Sequence, residues 1–360
     1  MLIERLICHA KHGRISASEY SAFIDNRCGL KKIITKRLLE NTVRVSAVLM
    51  LLLAHNVNAL ELNMPIANDV TSFHSQLAAR FAEQVKKETD NRVDITVLAK
   101  ESGYKDEEIF GAVKNDLVAM GSRLLSSLDH ESKLFQLDAL PFLATSYRDA
   151  FNLYKVSKPE LEKVLKIKDV KLLYAIPWPA QGMFARTKIE SLEDLQGLSF
   201  RPYSKLTDMF GRSLGLKPVV IPLNKLSRSI SRKQLDVVFG SAGASNSFGV
   251  SKVFSYWYDL NAWLPKEIVF INMNQWQKLS SSDQAIVLSI AQRIESEGWQ
   301  KSKQVADANK AQLEFSEVKL ELLSPELRQE FELKSSVVVS QWLEVIGDHG
   351  RDVWERYMKL

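Results

Sequence analysis

The amino-acid sequence predicts an α/β protein of two lobes, and three observations lead to this prediction. Predicted strands and helices alternate from Leu60 to Gly121 in a β-α-β-α-β order, which is typical of a parallel or mixed sheet covered by helices. A chain of 360 residues holds about two domains' worth of sequence. A predicted helix over residues 282–315 is long enough, at about 1.5 Å per residue, to reach across both lobes.

Hydrophobic periodicity assigns the elements of the first part of the chain. Apolar residues recur from Phe73 to Val85 with the spacing of one helix face, and residues 92–98 alternate apolar and polar as a half-buried strand does. In order, the predicted elements are strands over 60–66, 92–98, 117–121 and 170–178, and helices from residue 73, over 105–115 and over 146–156. Pro177 and Pro179 then form a stiff connector, where we place a crossing between the lobes.

The stretch over residues 189–240 is the centre of the second part. It predicts a Ser-capped turn, a short strand ending at Arg201, helices over 206–214 and 224–232, and strands over 218–221 and 235–239. A Gly/Ser/Asn-rich turn, an aromatic strand over 253–260 and a strand over 267–273 follow. After the long helix, Ser324 and Pro325 begin a terminal helix that closes near Gly347.

Residues 1–59 have the features of an export leader. A basic segment precedes an apolar run over residues 46–54, and the small-residue pattern of a signal-peptidase site ends at Ala59. A bilayer span takes roughly 20 apolar residues, so this run is too short to cross a membrane. We expect a periplasmic protein of the Gram-negative type. Because signal peptides are usually about 15–30 residues long, we also expect translation to start downstream of Met1. A short buried helix and an uncleaved anchor are the alternatives.

Charge and cysteine content exclude several functions for the remainder of the chain. Removing the nine basic and four acidic residues before Leu60 leaves 39 of each, and a formally neutral body argues against nucleic-acid binding. Both cysteines, Cys8 and Cys28, lie in the leader, so the body has no disulfide, no catalytic thiol and no thiolate metal site. Its three histidines are not in metal-binding spacing, and no catalytic or nucleotide-binding motif is present. We therefore predict no enzyme activity, no metal and no cofactor.

An arginine at a strand end is the chemistry that remains. A desolvated guanidinium in a cleft binds a carboxylate through two parallel hydrogen bonds, so Arg201 could orient an organic anion. A solvated surface arginine is the competing interpretation. The Gly240-Ser241-Ala242-Gly243 segment is similar to a nucleophile elbow only loosely, and a flexible loop after a strand explains it as well.

Four segments of the chain form an ordered set of short motifs: RFAEQVKKETDNRVDITVL, LDALPFLATSYRDA, IESLEDLQGLSFR and LKPVVIPLNKLSRSISRKQLDVV. This set resembles the motifs of the solute-binding (DctP-like) subunit of tripartite ATP-independent periplasmic (TRAP) transporters. The resemblance implies a periplasmic-binding-protein-like fold with a central cleft, strands that cross between lobes and a long helix that spans both. It also implies interleaved lobes. We assign residues 1–59 to the leader, 60–178 with about 267–306 to lobe I, and 179–266 with about 307–360 to lobe II.

The resemblance also implies which residues bind the ligand. Arg201 occupies the position of the family's carboxylate-clamping arginine, while Gln181, Ser241 and Asn68 would add polar contacts. Trp178 would form a wall of the pocket, or pack between lobes. Arg123 would supply a second charge, or lie on the surface, and turn chemistry is the alternative for Asn68.

The chain departs from the family pattern at three places. A second arginine common in the connector is replaced by Ala180 beside Gln181, the Glu-Asn-Pro segment by Phe239-Gly240-Ser241, and a common tyrosine by a residue near Ser227. We therefore expect a ligand other than a standard C4-dicarboxylate.

The function implied is capture of a small organic anion, expected to be a carboxylate, by closure of the two lobes. A monomeric binding protein would then deliver this ligand to the membrane permease subunits of a TRAP transporter. Two alternatives keep the fold: a ligand sensor that presents its closed form to a membrane signalling receptor, and a periplasmic enzyme.

Overall fold

A computed structural model of the chain describes residues 59–99, 103–244 and 248–360. The predicted leader lies outside the described residues, apart from Ala59. The strands are β1 (Leu60–Pro65), β2 (Val93–Leu98), β3 (Met120–Leu124), β4 (Val170–Pro177), β5 (Gly182–Ala185), β6 (Ser199–Phe200), β7 (Lys217–Pro218), β8 (Val237–Gly240), β9 (Tyr256–Tyr258), β10 (Lys266–Asn272) and β11 (Lys319–Glu321). The longer helices are α1 (Phe73–Glu88), α2 (Ile109–Lys114), α3 (Tyr147–Ile167), α4 (Lys205–Ser213), α5 (Leu226–Ser231), α6 (Met273–Lys278), α7 (Ser281–Glu314), α8 (Pro325–Val345) and α9 (Gly347–Tyr357).

The first layer of strands contains β1, β2, β3, β10 and β4. β10 lies between β3 and β4 and is antiparallel to both. β1 pairs with β2 in parallel, and a bridge between Ile66 and Ser122 places this pair beside β3. Phe81 of α1, Tyr174 of β4 and Ile290 of α7 belong to one buried cluster that covers this layer. The layer is therefore mixed and covered by helices, as the alternating pattern predicts.

The second sheet has six strands in the order β11-β9-β5-β8-β6-β7. β6 is parallel to β8 and β7, whereas β5 is antiparallel to β8 and β9. Gly182 begins β5 where it passes close to β9, and a Cβ at this position would collide with the carbonyl oxygen of Tyr258. Only glycine fits there without a shift of the backbone.

Two chain segments run side by side between the layers. The nitrogen of Trp178 donates to the oxygen of Pro265 at 2.7 Å, and that of Gln181 donates to the oxygen of Trp263 at 2.9 Å. The proline connector after β4 is thus hydrogen bonded to the segment that leads into β10. These paired segments are the crossing strands that the sequence analysis expects.

Helix α7 contacts both layers. Near its middle, Trp299 donates its indole N–H to the oxygen of Ala175 in β4 at 3.1 Å, and the Glu295 carboxylate accepts from the nitrogen of the same residue at 2.9 Å. Near its end, Leu313 is buried with Phe184 of β5 and Trp257 of β9. The prediction of an α/β fold with two lobes and a spanning helix is confirmed. No helix in the described part of the chain is both long and apolar enough to cross a membrane.

The chain ends in two helices rather than one. The predicted terminal helix is α8, in which Phe331 packs on Phe210 of α4 with ring centroids 6.1 Å apart. Gly347, at φ 74°, follows it, and α9 then packs on α3. The exact lobe boundaries remain a prediction, since the C-terminal helices contact elements assigned to both lobes.

Several strand predictions were wrong in detail, and one strand was missed. The strand predicted over 117–121 begins three residues later, because Asp116 adopts a left-handed backbone (φ 57°) and Leu117, in the turn, is 74% exposed. Arg123 therefore lies inside β3 rather than after it. The strand predicted over 218–221 is only Lys217–Pro218, and β5 was not predicted.

Candidate ligand-binding site

Strand register places three of the predicted site residues at one edge of the second sheet. Phe200 of β6 lies beside Val237 of β8, and Gly182 of the antiparallel β5 lies opposite Gly240. Arg201 follows β6, Ser241 follows β8 and Gln181 precedes β5, so all three lie at the same edge.

A hydrogen bond to a backbone carbonyl holds the Arg201 side chain at this edge. Its Nε donates to the carbonyl oxygen of Ile221 at 2.8 Å, which leaves the two terminal nitrogens of the guanidinium for other acceptors. The side chain is partly buried, and burial lowers the pKa of Arg201, although the nearby Tyr203 and Asp106 act in the opposite direction. Within the described part of the chain, Arg201 has no ion pair. A carboxylate ligand would supply the missing partner.

The corresponding edge of the first layer holds the other predicted residues. Asn68 follows β1, Arg123 lies near the end of β3 and Trp178 follows β4. The amide nitrogen of Asn68 is buried and has no hydrogen-bond partner. A buried donor left unpaired is costly, so Asn68 is a strong candidate for a ligand contact.

Arg123 is the more deeply buried of the two predicted cations. Only 4% of its side chain is exposed, and one terminal nitrogen donates to the Ser127 hydroxyl at 2.8 Å. The other terminal nitrogen forms an ion pair with the carboxylate of Asp106 but no hydrogen bond, and Nε has no hydrogen-bond partner either. A surface role for Arg123 does not fit this burial.

Glu267, at the start of β10, is an acid that the sequence analysis did not assign to the site. Its carboxylate accepts from the Ser122 hydroxyl at 2.7 Å and from the indole N–H of Trp178 at 3.2 Å. Burial raises the pKa of Glu267, the negative charge of Asp106 raises it further, and the two hydrogen bonds and Arg123 oppose the rise. Glu267 thus joins three neighbouring strands at this edge and holds the Trp178 ring in place.

A neutral histidine packs behind that ring. The His74 imidazole lies 4.2 Å from the Trp178 ring between centroids, and burial lowers the pKa of His74 to about 3. His74 is therefore uncharged at neutral pH, and its buried Nε2 has no hydrogen-bond partner. Trp178 and His74 together form an aromatic wall, to which Phe73 adds a third ring 5.8 Å from Trp178.

Gln181 and Ser241 are placed differently from the arginines. The Gln181 amide nitrogen donates to the oxygen of Pro179 at 2.7 Å, so this side chain stabilises the connector. A cavity of about 130 Å³ beside this edge is lined by Ala180, Gly243 and residues of α7 and contains none of the predicted site residues. No described contact joins Gln181 or Ser241 to either arginine, and their ligand contacts remain predictions.

The charge of Asp106 acts on groups at both edges. Asp106, from a short 3₁₀ helix (Asp106–Glu108), pairs with Arg123, and its charge also affects the pKa values of Arg201 and Glu267. Tyr203 lies on the Arg201 side, and its hydroxyl accepts from the indole N–H of Trp263 at 2.6 Å. The arrangement brings two guanidinium groups, one from each layer, to the facing edges of the two lobes.

Replacing Glu267 by glutamine should change how stability depends on pH. Folding raises the pKa of Glu267, so the folded wild-type protein binds this proton more tightly than the unfolded chain does. The contribution of Glu267 to the free energy of unfolding is therefore greatest below about pH 4. It falls as the pH rises from the pKa of Glu267 in the unfolded chain to its pKa in the folded protein. The variant lacks this loss, so its stability relative to wild type should rise with pH over that window, by up to about 1.4 kcal/mol per pH unit. Urea denaturation between pH 4 and 8 measures the difference. The exposed Glu83, replaced in the same way, is the control for removing one carboxylate from the surface. If the stability of the two variants changes with pH in the same way, the raised pKa assigned to Glu267 is wrong.

Comparisons with known proteins identify a family and several related structures. Residues 66–344 match the model of the family described as bacterial extracellular solute-binding protein, family 7. A protein named solute-binding protein from Albidiferax ferrireducens is 24% identical over 219 residues, and the match covers 57% of this chain and 64% of that protein. The match therefore spans slightly less than two thirds of that relative.

Two solved structures are similar over most of the chain. DctP7 of Bordetella pertussis, an extracytoplasmic solute receptor that binds pyroglutamic acid, is 27% identical with a TM-score of 0.80, covering 83% of this chain and 99% of its own. A TRAP solute-binding protein from a marine metagenome, in complex with co-purified pyroglutamate, is 30% identical with the same TM-score, covering 84% of this chain and 100% of its own.

Proposed function

The chain belongs to family 7 of the bacterial extracellular solute-binding proteins, and from this premise we propose that it captures a small carboxylate in the periplasm for a TRAP-type permease. The proposal rests mainly on the state of the Arg201 side chain. A partly buried guanidinium, anchored through Nε to Ile221 and without an ion pair in the described residues, is prepared for an external carboxylate. The protein would act as a monomer and without catalysis, since the family serves transport.

Pyroglutamate is the first ligand to consider. Two similar structures, at 27% and 30% identity, contain or bind it. It has one carboxylate for Arg201 and a lactam ring whose N–H and C=O suit a polar cleft. Its flat ring would also fit against the aromatic wall of Trp178 and His74. These features fit the expectation that the ligand is not a C4-dicarboxylate.

The paired crossing segments suggest how capture occurs. Arg201 is carried by the second sheet, and Asn68, Arg123 and Trp178 are carried by the first layer. Rotation of one lobe about the two crossing segments would bring both edges onto the ligand and exclude water. A ligand that contacts both edges binds the closed form better than the open one, and only this difference in affinity shifts the equilibrium.

A thermal-shift assay of the exported protein tests the proposal. L-Pyroglutamate at about 100 times its Kd should add about 2.7 kcal/mol of apparent stability, which raises the Tm by several degrees. The primary amide of pyroglutamate, which has the same ring without the carboxylate, is the matched control and should give no shift. The same assay can be run with a panel of organic acids and of neutral and cationic compounds. If only the neutral or cationic compounds raise the Tm, the proposal is contradicted.

A further inference from the structure

Arg123 is already neutralised by a residue of the chain itself. With 4% of its side chain exposed, it has little access to water, and the Asp106 carboxylate lies in contact with one of its terminal nitrogens. A buried guanidinium needs such a partner, because an unpaired buried charge is strongly destabilising. A ligand that used Arg123 as its own counter-ion would first have to displace Asp106.

Asp106 also acts on the rest of the cleft. Its charge opposes the effect of burial on the pKa of Arg201 and adds to the effect of burial on the pKa of Glu267. Asp106 therefore lies within electrostatic range of the second sheet's cation and of the first layer's buried acid. About half of its side chain remains accessible, with 44% exposed, so it borders the space between them.

Arg201, Arg123 and Asp106 together carry a net charge of +1. Arg201 and Arg123 contribute two positive charges, and Asp106 removes one. Glu267 supplies no further cation, and its two carboxylate oxygens already accept from Ser122 and from the indole N–H of Trp178. A second buried cation, Lys266, is paired with Asp138 and adds no net charge.

We infer that Asp106 restricts the site to ligands with one carboxylate, which binds Arg201, and with a hydrogen-bond donor at the other end. This inference rests on the proposed function. A second ligand carboxylate would meet the carboxylate of Asp106, and like charges at short range in a desolvated site repel strongly. An N–H group in the same place would find the Asp106 oxygens as acceptors. Asp106 is thus a specificity-determining residue.

Two isosteric ligands test the inference on the unmodified protein. Succinate and its half-amide, succinamate, differ only in whether the second end is a carboxylate or an amide. Calorimetric titration at pH 7 and fixed ionic strength should give at least about tenfold tighter binding of succinamate. Equal affinity, or a preference for succinate, would overturn the inference.

Asp106→Asn should change this preference. With Arg123 released, succinate affinity should rise at least about tenfold relative to succinamate. Glu107→Gln removes the same charge from the adjacent exposed side chain and should leave the ratio at its wild-type value. The double variant Asp106→Asn, Arg123→Gln keeps a single cation, so the gain in succinate affinity should disappear.

The outcomes separate the inference from the proposed function. A folded Asp106→Asn variant that binds pyroglutamate but gains nothing for succinate overturns the inference and leaves the proposed function intact. If the wild-type protein binds none of pyroglutamate, succinate and succinamate, the proposed function itself is wrong. If Asp106→Asn does not fold, the comparison of succinate with succinamate on the wild type still decides the inference.

Discussion

Replacing Arg201 by alanine is expected to weaken L-pyroglutamate binding by about 2–5 kcal/mol, or roughly 30-fold to several thousand-fold in Kd. The loss arises because the ligand carboxylate loses its cation in a partly buried site. The carbonyl oxygen of Ile221 also loses the donor that Arg201 supplies at 2.8 Å, which lowers the stability of the protein rather than its affinity. Arg201→Lys should recover only part of the affinity, because an ammonium group does not reproduce the planar fork of the guanidinium.

Arg212→Ala is the matched control for this prediction. Arg212 lies on α4 of the same lobe, its side chain is 59% exposed, and it pairs with Asp208 one helical turn earlier. Its loss should leave the Kd unchanged. Calorimetric titration of both variants, with the Tm of each measured in parallel, separates binding from folding. An Arg201→Ala protein that is folded and binds with wild-type affinity would remove the centre of the site assignment.

Replacing Lys266 by methionine is expected to cost about 3–5 kcal/mol of stability at pH 7. Lys266 and Asp138 are 2% and 5% exposed, and the ammonium lies 3.7 Å from the carboxylate. Burial lowers the pKa of Lys266 and raises that of Asp138, and their mutual attraction opposes both shifts. Without Lys266 the Asp138 carboxylate stays buried without a counter-ion.

The double variant Lys266→Met, Asp138→Asn distinguishes this mechanism from loss of packing. Asparagine keeps the oxygen that accepts from the backbone nitrogen of Lys266 at 2.7 Å in the wild type but carries no charge. The double variant should therefore recover most of the lost stability, since an isolated charge costs more than a neutral pair. Denaturation in urea, followed by tryptophan fluorescence, measures all three proteins. The Lys266 ammonium also lies over the Trp299 ring, 6.0 Å from its centroid. A double variant as unstable as the single one would therefore attribute the loss to this packing instead.

Much of the fold could be predicted because its signals are local. Helix α1 begins after Ser72, which caps it, and its buried face follows from the spacing of Phe73 to Val85. Helix α7 likewise begins after Ser280 and ends within one residue of the predicted limit. Strand β5 was missed because four residues without polar alternation give no periodic signal. Its pairing with β8 and β9 is a tertiary property.

The candidate site was harder to predict from the sequence, because most of its residues come together only through tertiary contacts. Arg201 could be proposed because it stands at a strand end inside a recognisable motif. Glu267 carried a weaker signal, since it is an acid inside the apolar strand β10. Asp106 carried none. It lies in an acidic segment that resembles any solvated helix start, and only the fold brings it to Arg123. His74 likewise becomes part of the site only through the position of Trp178.

A crystal structure of the protein grown with L-pyroglutamate tests the account most directly. The account predicts the ligand in the cleft between the first layer and the second sheet, with its carboxylate on the terminal nitrogens of Arg201 at about 2.7–2.9 Å. It also predicts that Asp106 still pairs with Arg123 and that the ring lies against Trp178. A ligand whose carboxylate is held by another cation, with Arg201 left without it, would contradict the account.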